Sequence, residues 1–362
     1  MTDLAGYTTL RVGGPARELL EPATRDELVQ TALDVWATGD DWFLLGGGSN
    51  VVISDEGIDG TVIRVVTRGI DIQVDQDGQH ARVRAEAGEN WDALVAATVE
   101  AGLSGIEALS GIPGTVGAAP VQNIGAYGQE IGERLVGIDF LDYETGDVQR
   151  LDARDLGLGY RTSVLKRGRA GVVLAIELDL DAGGWSAPVA YAQLASALGV
   201  ELGARVPVAE LRAAVLALRA SKGMVLDPND PDSVSAGSFF TNPIVSESFA
   251  RTLPADAPRY PVESDDADRV LAPGDDVPPL PSREYQVKLS AAWLIERAGI
   301  PRGYQLPGSR AGISTKHTLA ITNRGGATAA EIAQLANYVQ TRVLSQFGVV
   351  LQPEPVFVGD VQ

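Results

Sequence analysis

The sequence contains no cysteine among its 362 residues. That excludes disulfides, thiolate nucleophiles and cysteine metal sites. Only two histidines are present, His80 and His317, which argues against a histidine-built metal centre and against a Ser-His triad, so no metal is expected. The chain lacks any run of ~18 apolar residues, and its start, "MTDLAGYTTLRVGG", has no apolar leader core. A cytoplasmic location is the expectation. Positive charge is also scarce. Lys and Arg number 29 against 48 Asp and Glu, giving a net charge of −19. Such a surface repels nucleic acid and anionic membranes, so neither is an expected partner. A bound anion would need local cations or backbone amides.

The length suits two or three domains with a sizeable core. Hydrophobic residues at 45% and charged residues at 21% fit a soluble globular protein. Residues 24–39 open with Thr24 and Glu27 in capping-box spacing and then place Val29, Leu33 and Trp36 on one face. Residues 89–102 have Asn90 as N-cap and Gly102 as stop. Further helices are predicted over 208–223, 290–299 and 327–348, the last with Thr328 and Glu331 as a second capping box. Strands are predicted between them, at 41–48, 61–66, 80–88, 136–143, 171–180, 317–322 and 349–359. This mixed order argues for α+β domains. Residues 254–283, rich in proline and aspartate and without apolar periodicity, read as a long solvated loop or a disordered insertion.

Two glycine-rich stretches carry the first functional signal. "WFLLGGGSNVVI" is an apolar strand followed by Gly46, Gly47, Gly48, Ser49 and Asn50. Glycines there let backbone amides turn inward toward a phosphate, although a plain strand-to-strand turn reads the same way. Val51 stands where a dinucleotide fingerprint needs its third glycine, and no GxxxxGK[ST] is present. "SGIPGTVGAAPVQNIGAYGQEIG", residues 110–132, is too apolar for a linker and too broken for a helix. It can wrap a flat ligand, with Asn123 and Tyr127 as polar contacts, or serve as a buried structural loop. Two such loops on an acidic chain suggest a pyrophosphate cofactor. A third stretch, "AGSFFTNPIV", sets Ser238 between Gly237 and Phe239-Phe240. Alone, it reads as well as a strand start whose serine faces inward.

Taken in order, "LRVGGPA", "LGGGSNVVI", "SGIPGTVGAAPVQNIGAYG", "LGYRTSVLK", "AGSFFTNPIV", "KLSAAWLIERAGI", "STKHTLAITN" and "LQPEPVFVG" closely resemble the UDP-N-acetylenolpyruvoylglucosamine reductases, the MurB family of flavoenzymes in peptidoglycan synthesis. "AYAQL" around Tyr191 resembles the subtype with an extra tyrosine-bearing loop. The resemblance implies an α+β fold: a two-subdomain FAD-binding fold of the vanillyl-alcohol oxidase type plus a C-terminal α+β substrate-binding domain. It divides the chain into 1–66, 67–222, 223–350 and a C-terminal strand at 351–362 carrying a catalytic glutamate.

By the same resemblance, FAD is the cofactor and NADPH the co-substrate. The substrate is UDP-N-acetylglucosamine enolpyruvate. The sequence itself does not give the oligomeric state, and a monomer is favoured. Gly46, Gly47, Gly48, Ser49 and Asn50 would take the FAD pyrophosphate. Ile112, Pro113, Gly114, Thr115 and Val116, with Gln122, Asn123, Ile124, Gly125, Ala126 and Tyr127, would line the rest of the cofactor. Arg161, Ser238 and Glu354 would be catalytic. Arg161 offers a donor fork for the substrate carboxylate, and Ser238 would donate a proton to C2, with Gly237 permitting close approach and the phenylalanines excluding water. Glu354 is expected to be protonated or Arg-paired, because a bare carboxylate would repel the charge developing on the substrate. Tyr191 and Lys222 would meet the UDP diphosphate, with Asn242 nearby and His317 on the substrate side. For Lys222 a solvated helix-end lysine, and for His317 a structural histidine, are the competing readings. Two other functions compete with this one: an FAD-dependent oxidase or dehydrogenase with another substrate, and a catalytically silent UDP-sugar-binding module.

Overall fold

The computed structural model describes residues 1–262 and 285–361. Seven helices occur among them: α1 (Arg25–Thr38), α2 (Trp91–Glu100), α3 (Ala192–Leu198), α4 (Val208–Ser221), α5 (Glu247–Ala250), α6 (Ala291–Arg297) and α7 (Ala329–Phe347). Both expected capping boxes form. The side chains of Thr24 and Thr328 accept from the backbone N–H of Glu27 and Glu331, and each glutamate reaches back to its cap. Gly39 and Gly348 close α1 and α7 in the left-handed conformation. On α1 the fully buried residues are Leu28, Ala32 and Val35, while Val29, Leu33 and Trp36 are only partly buried. The buried stripe is broader than expected because α1 faces two sheets. Arg25 pairs with Asp139 of one, and Trp36 packs on Trp42 of the other.

The first sheet holds Thr2–Asp3, Pro15–Leu20, Ile58–Arg64 and Trp42–Leu45 in that order, parallel except for the first pair. The second is antiparallel, with strands Val148–Asp152, Leu135–Asp142, Gly171–Ala182, His80–Glu86 and Ile70–Val74 in sequence across it. Val83, Ala85 and Ala87 point into the main core with Trp91, Leu94, Ile138, Phe140 and Ile176. The C-terminal half has its own core, in which α6 and α7 pack on Phe239, Phe240 and the hairpin Ala311–Ile313/Ile321–Asn323. A smaller cluster joins α3 and α4.

Two features tie the halves together. The last strand, Val356–Val358, runs parallel to Val51–Ile53 beside the first glycine loop. Both carboxylate oxygens of Asp55 accept from the first amides of α7, Ala329 and Ala330, at 2.7 and 3.0 Å. The strand expected over 349–359 is therefore only three residues long, and Glu354 precedes it. The strand expected over 317–322 is likewise confined to Ile321–Asn323, because a turn containing His317 precedes it, in which the Ser314 N–H donates to the Ala320 carbonyl and the Ala320 N–H to the His317 carbonyl. Within the expected 254–283 loop, Arg259–Pro261 forms an edge strand on Gln286–Leu289. Its remainder from 263 lies outside the described residues.

Candidate active site

The first glycine loop leaves the sheet at Leu45 and meets the second loop at backbone contact. A Cβ added at Gly47 would stand 2.6 Å from the Gly114 Cα, and Gly48 has φ +60°. Ser49 Oγ ties the loops together by donating to the Pro113 carbonyl at 2.9 Å. The N–H groups of Gly46, Gly47, Gly48 and Ser49 have no acceptor within the chain among the described residues. A row of unpaired amides on a surface that admits no side chain is what a pyrophosphate requires. The residues present fit FAD on that ground.

These loops form one wall of a cleft of about 560 Å³. A second cavity of about 320 Å³ shares Phe43, Leu44, Gly46, Thr115, Ala118 and Val121 with it and runs beneath the second sheet. Its charged member, Arg169, is held by Asp142. The two spaces together suit an elongated ligand with one flat apolar end.

Most residues singled out in the sequence line the main cleft, including Asn50, Gln122, Tyr127, Arg161, Tyr191, Lys222, Ser238, His317 and Glu354. Three do not. Val116 is fully buried in the main core. Asn123 is spent on structure: its amide donates to Glu130 and to the Gly159 carbonyl, and its oxygen accepts from Gly132. Asn242 Oδ1 accepts from the Ala291 N–H at the start of α6. Each of the two asparagines is thus tied to the framework by its side chain, and Val116 by its packing.

Glu354 is delivered from the far end of the chain. Its backbone N–H donates to the Phe239 carbonyl, and its own carbonyl accepts from Asn50 Nδ2 at 3.2 Å. Asn50 Nδ2 also donates to Gln122 Oε1 at 2.7 Å, and Gln122 Nε2 donates to Glu354 Oε1 at 3.2 Å. Arg161 Nε lies 3.3 Å from the same oxygen. Burial pushes the Glu354 carboxyl up, against the pull of Arg161 and Lys166. Arg161 itself sits at φ +54° and is pinned by donating to the Asn123 and Gly125 carbonyls, at 3.3 and 2.8 Å.

Ser238 lies across the cleft in a loop, outside any strand. Phe239 and Phe240 are fully buried and stacked edge-on, so they anchor that loop in the C-terminal core. A Cβ on Gly237 would meet nothing nearer than 3.8 Å. The glycine is needed for its φ of +75°, and it lines the cleft beside Ser238. Ser238 Oγ stands 3.4 Å from His317 Nε2.

Burial, and then the positive charges of Lys222, Arg219 and Arg302, hold His317 down at about 4. An unfolded histidine titrates near 6.5. The unfolded chain therefore binds the extra proton between those values, and stability falls as pH drops through that window, by about 3 kcal/mol in all. Urea titration of FAD-free protein should show His317→Gln losing about 2–3 kcal/mol less than wild type between about pH 7 and pH 4.5. Equal losses would mean that His317 titrates in the fold as it does in the unfolded chain.

At the other end, Lys222 Nζ donates to Gln193 Oε1 at 2.7 Å and lies 5.5 Å from the Tyr127 ring centre. Tyr127 and Tyr191 meet edge-on at 5.6 Å. Two cations in the cleft wall were not singled out in the sequence. Arg219, on α4, is 8% exposed and its Nε has no partner among the described residues. Lys166 follows Arg161 by five residues. The spacing of Arg219 and Lys222 on one helix face was a readable signal. Lys166, inside an irregular loop, offered none.

Comparison with known proteins agrees with this geometry. Residues 16–152 match the family model described as FAD binding domain, and residues 229–358 match that of the UDP-N-acetylenolpyruvoylglucosamine reductase C-terminal domain. The chain is 62% identical to the UDP-N-acetylenolpyruvoylglucosamine reductase of Leifsonia xyli, covering 99% of both chains. It is 53% identical to that of Saccharopolyspora erythraea, over 98% of this chain and 94% of the relative. Among solved structures, the crystal structure of the reductase (MurB) from Thermus caldophilus superposes with a TM-score of 0.63 at 26% identity, covering 99% of this chain and 98% of that one.

Proposed function

The chain belongs to the UDP-N-acetylenolpyruvoylglucosamine reductase family, and on that premise we propose which of its side chains carry the reduction. It is an FAD-dependent oxidoreductase of peptidoglycan precursor synthesis, with NADPH as reductant. Bound in the glycine cradle, FAD supplies the hydride chemistry between NADPH and the enolpyruvyl double bond. The protein must bind the UDP-sugar, neutralise the charge that grows on the substrate's C2 and carboxylate, and deliver one proton to C2.

The observation that carries the reading is the convergence of Arg161, Glu354 and Ser238 on one cleft beside the unpaired amides of Gly46–Ser49. Arg161 faces the substrate carboxylate. Glu354, tied to Arg161 and pushed toward its protonated form by burial, adds no bare charge against it. Ser238 gives the proton, and His317, held neutral, faces its oxygen. Lys222, Tyr191 and Tyr127 form the mouth and take the nucleotide diphosphate. The apolar second cavity suits the adenosine end of FAD. No helix among the described residues is long and apolar enough to cross a membrane, consistent with a diffusible nucleotide-sugar substrate.

The test is anaerobic stopped-flow absorbance. Flavin reduced by NADPH should return rapidly to its oxidised spectrum on mixing with UDP-N-acetylglucosamine enolpyruvate. Flavin that is present but stays reduced would reject the substrate. Protein that cannot be loaded with flavin would reject the reading of both glycine loops.

A further inference from the structure

The chain has only four lysines. Three have partners: Lys222 bonds Gln193, Lys316 pairs with Asp230, and Lys288 lies over the Tyr160 ring. The Lys166 ammonium has no hydrogen bond or ion pair among the described residues. It is exposed, and the space it borders is the cleft, on the wall that carries Val121, Gln122, Arg161 and Glu354. Its electrostatic neighbours are Glu354 and Arg161.

The loop bearing it is firmly held. Ser163 Oγ donates to the Val121 carbonyl and accepts from the Lys166 N–H. Val164 bonds back to Leu156, and Gly159 and Thr162 exchange backbone bonds. The base of the Lys166 side chain is thus fixed while its ammonium is free.

Arg161 is placed the opposite way. Its Nε is turned to Glu354, and both terminal nitrogens hold main-chain carbonyls. At most one N–H on each terminal nitrogen remains for a ligand, so its bidentate fork is largely spent inside the protein. Charge counting points the same way. Arg161 and Lys166 against an ionised Glu354 leave one net positive charge, which a substrate carboxylate cancels. With Glu354 protonated the surplus is two, which suits a carboxylate onto which a second negative charge is moving. Arg161 alone could match neither state.

We propose that Lys166 is a substrate-contacting residue whose ammonium binds the enolpyruvyl carboxylate beside Arg161 and tightens on it as charge moves there during reduction. The proposal rests on the assignment of Arg161, Ser238 and Glu354 given above.

The test compares Lys166→Met and Lys166→Arg with wild type in the two half-reactions. Lys166→Met should load FAD and accept electrons from NADPH normally. Its flavin should then be reoxidised by the enolpyruvyl substrate roughly 10²-fold more slowly. It should bind UDP-N-acetylglucosamine, which lacks the carboxylate, as wild type does. Lys166→Arg should recover much of the rate, and ethylammonium should partly rescue Lys166→Ala. Reoxidation within about threefold of wild type would overturn the proposal. So would an equal loss of affinity for UDP-N-acetylglucosamine, or slowed reduction by NADPH. A Lys166→Met effect that vanishes in a Glu354→Gln background would overturn it too, because the lysine would then act only through the glutamate. If wild type itself is not reoxidised by the substrate, the functional assignment has failed, and this inference with it.

Discussion

Ser238→Ala should leave a protein that binds FAD, is reduced by NADPH at the wild-type rate, and then holds its electrons in the presence of substrate. The expected slowing of substrate-dependent reoxidation is roughly 10²–10⁴-fold, the range for loss of a positioned general acid. A serine hydroxyl is a weak acid in water, so it can serve only where the proton acceptor is a strong base and the resulting oxyanion has help. Both conditions follow from the site. Charge displaced onto C2 makes that carbon strongly basic. His317, held neutral, can present an N–H to Ser238 Oγ across their 3.4 Å contact in one of its two tautomers. The buried Phe239 and Phe240 fix the loop so that the hydroxyl does not drift. The NADPH half-reaction uses none of this and should be untouched. Wild-type reoxidation in the variant would remove Ser238 from the chemistry.

How far the sequence foretold this arrangement depends on the range of the forces involved. The capping boxes at Thr24/Glu27 and Thr328/Glu331 are hydrogen bonds between residues three apart, and both were readable. Helix α3 was not. It has seven residues, and its N-cap position, Tyr191, makes no side-chain cap. The strand predicted over 80–88 forms as His80–Glu86, and its alternation places Val83 and Ala85, with Ala87 just beyond it, in the core, since sheet periodicity is local. The last strand is shorter than its sequence predicts, because its extent is set by pairing with Val51–Ile53, about three hundred residues away.

The site divides in the same way. Glycines marked the cradle because no side chain fits where Gly47 meets Gly114. Polar residues in the same motifs could not be sorted by type alone. Asn50 and Asn123 look equivalent in the sequence, yet Asn50 lines the cleft and bonds Gln122, while Asn123 is consumed by Glu130, Gly132 and Gly159. Nothing local distinguishes them. Arg219 carries no local signal of its burial, on a helix whose other buried residues are apolar. Its unpartnered nitrogen shows only once the surrounding core is in place.

The largest combined effect is expected at the Arg161–Glu354 pair, where stability and turnover should separate. The Glu354 side chain is 13% exposed, and its hydrogen-bonded or ion-paired side-chain contacts are Arg161 and Gln122. Arg161→Met removes the cation and leaves a buried carboxylate with only Lys166 near. Breaking such a pair typically costs about 3–5 kcal/mol, because the remaining charge is uncompensated. Glu354 would escape part of that penalty by taking up a proton, so the loss of stability should shrink as pH falls. Adding Glu354→Gln removes the stranded charge altogether. The double variant should therefore regain most of the stability lost in Arg161→Met. It should not regain turnover. Arg161 also holds the Asn123 and Gly125 carbonyls and lines the cleft, where the proposed function has it meet the substrate carboxylate, and glutamine at 354 supplies neither function. Substrate-dependent flavin reoxidation should stay down by at least roughly 10²–10³-fold in both variants. Urea unfolding read beside stopped-flow absorbance makes the comparison. Recovery of both together would mean that Arg161 serves the reaction only by neutralising Glu354. Recovery of stability alone would place its charge in the reduction itself.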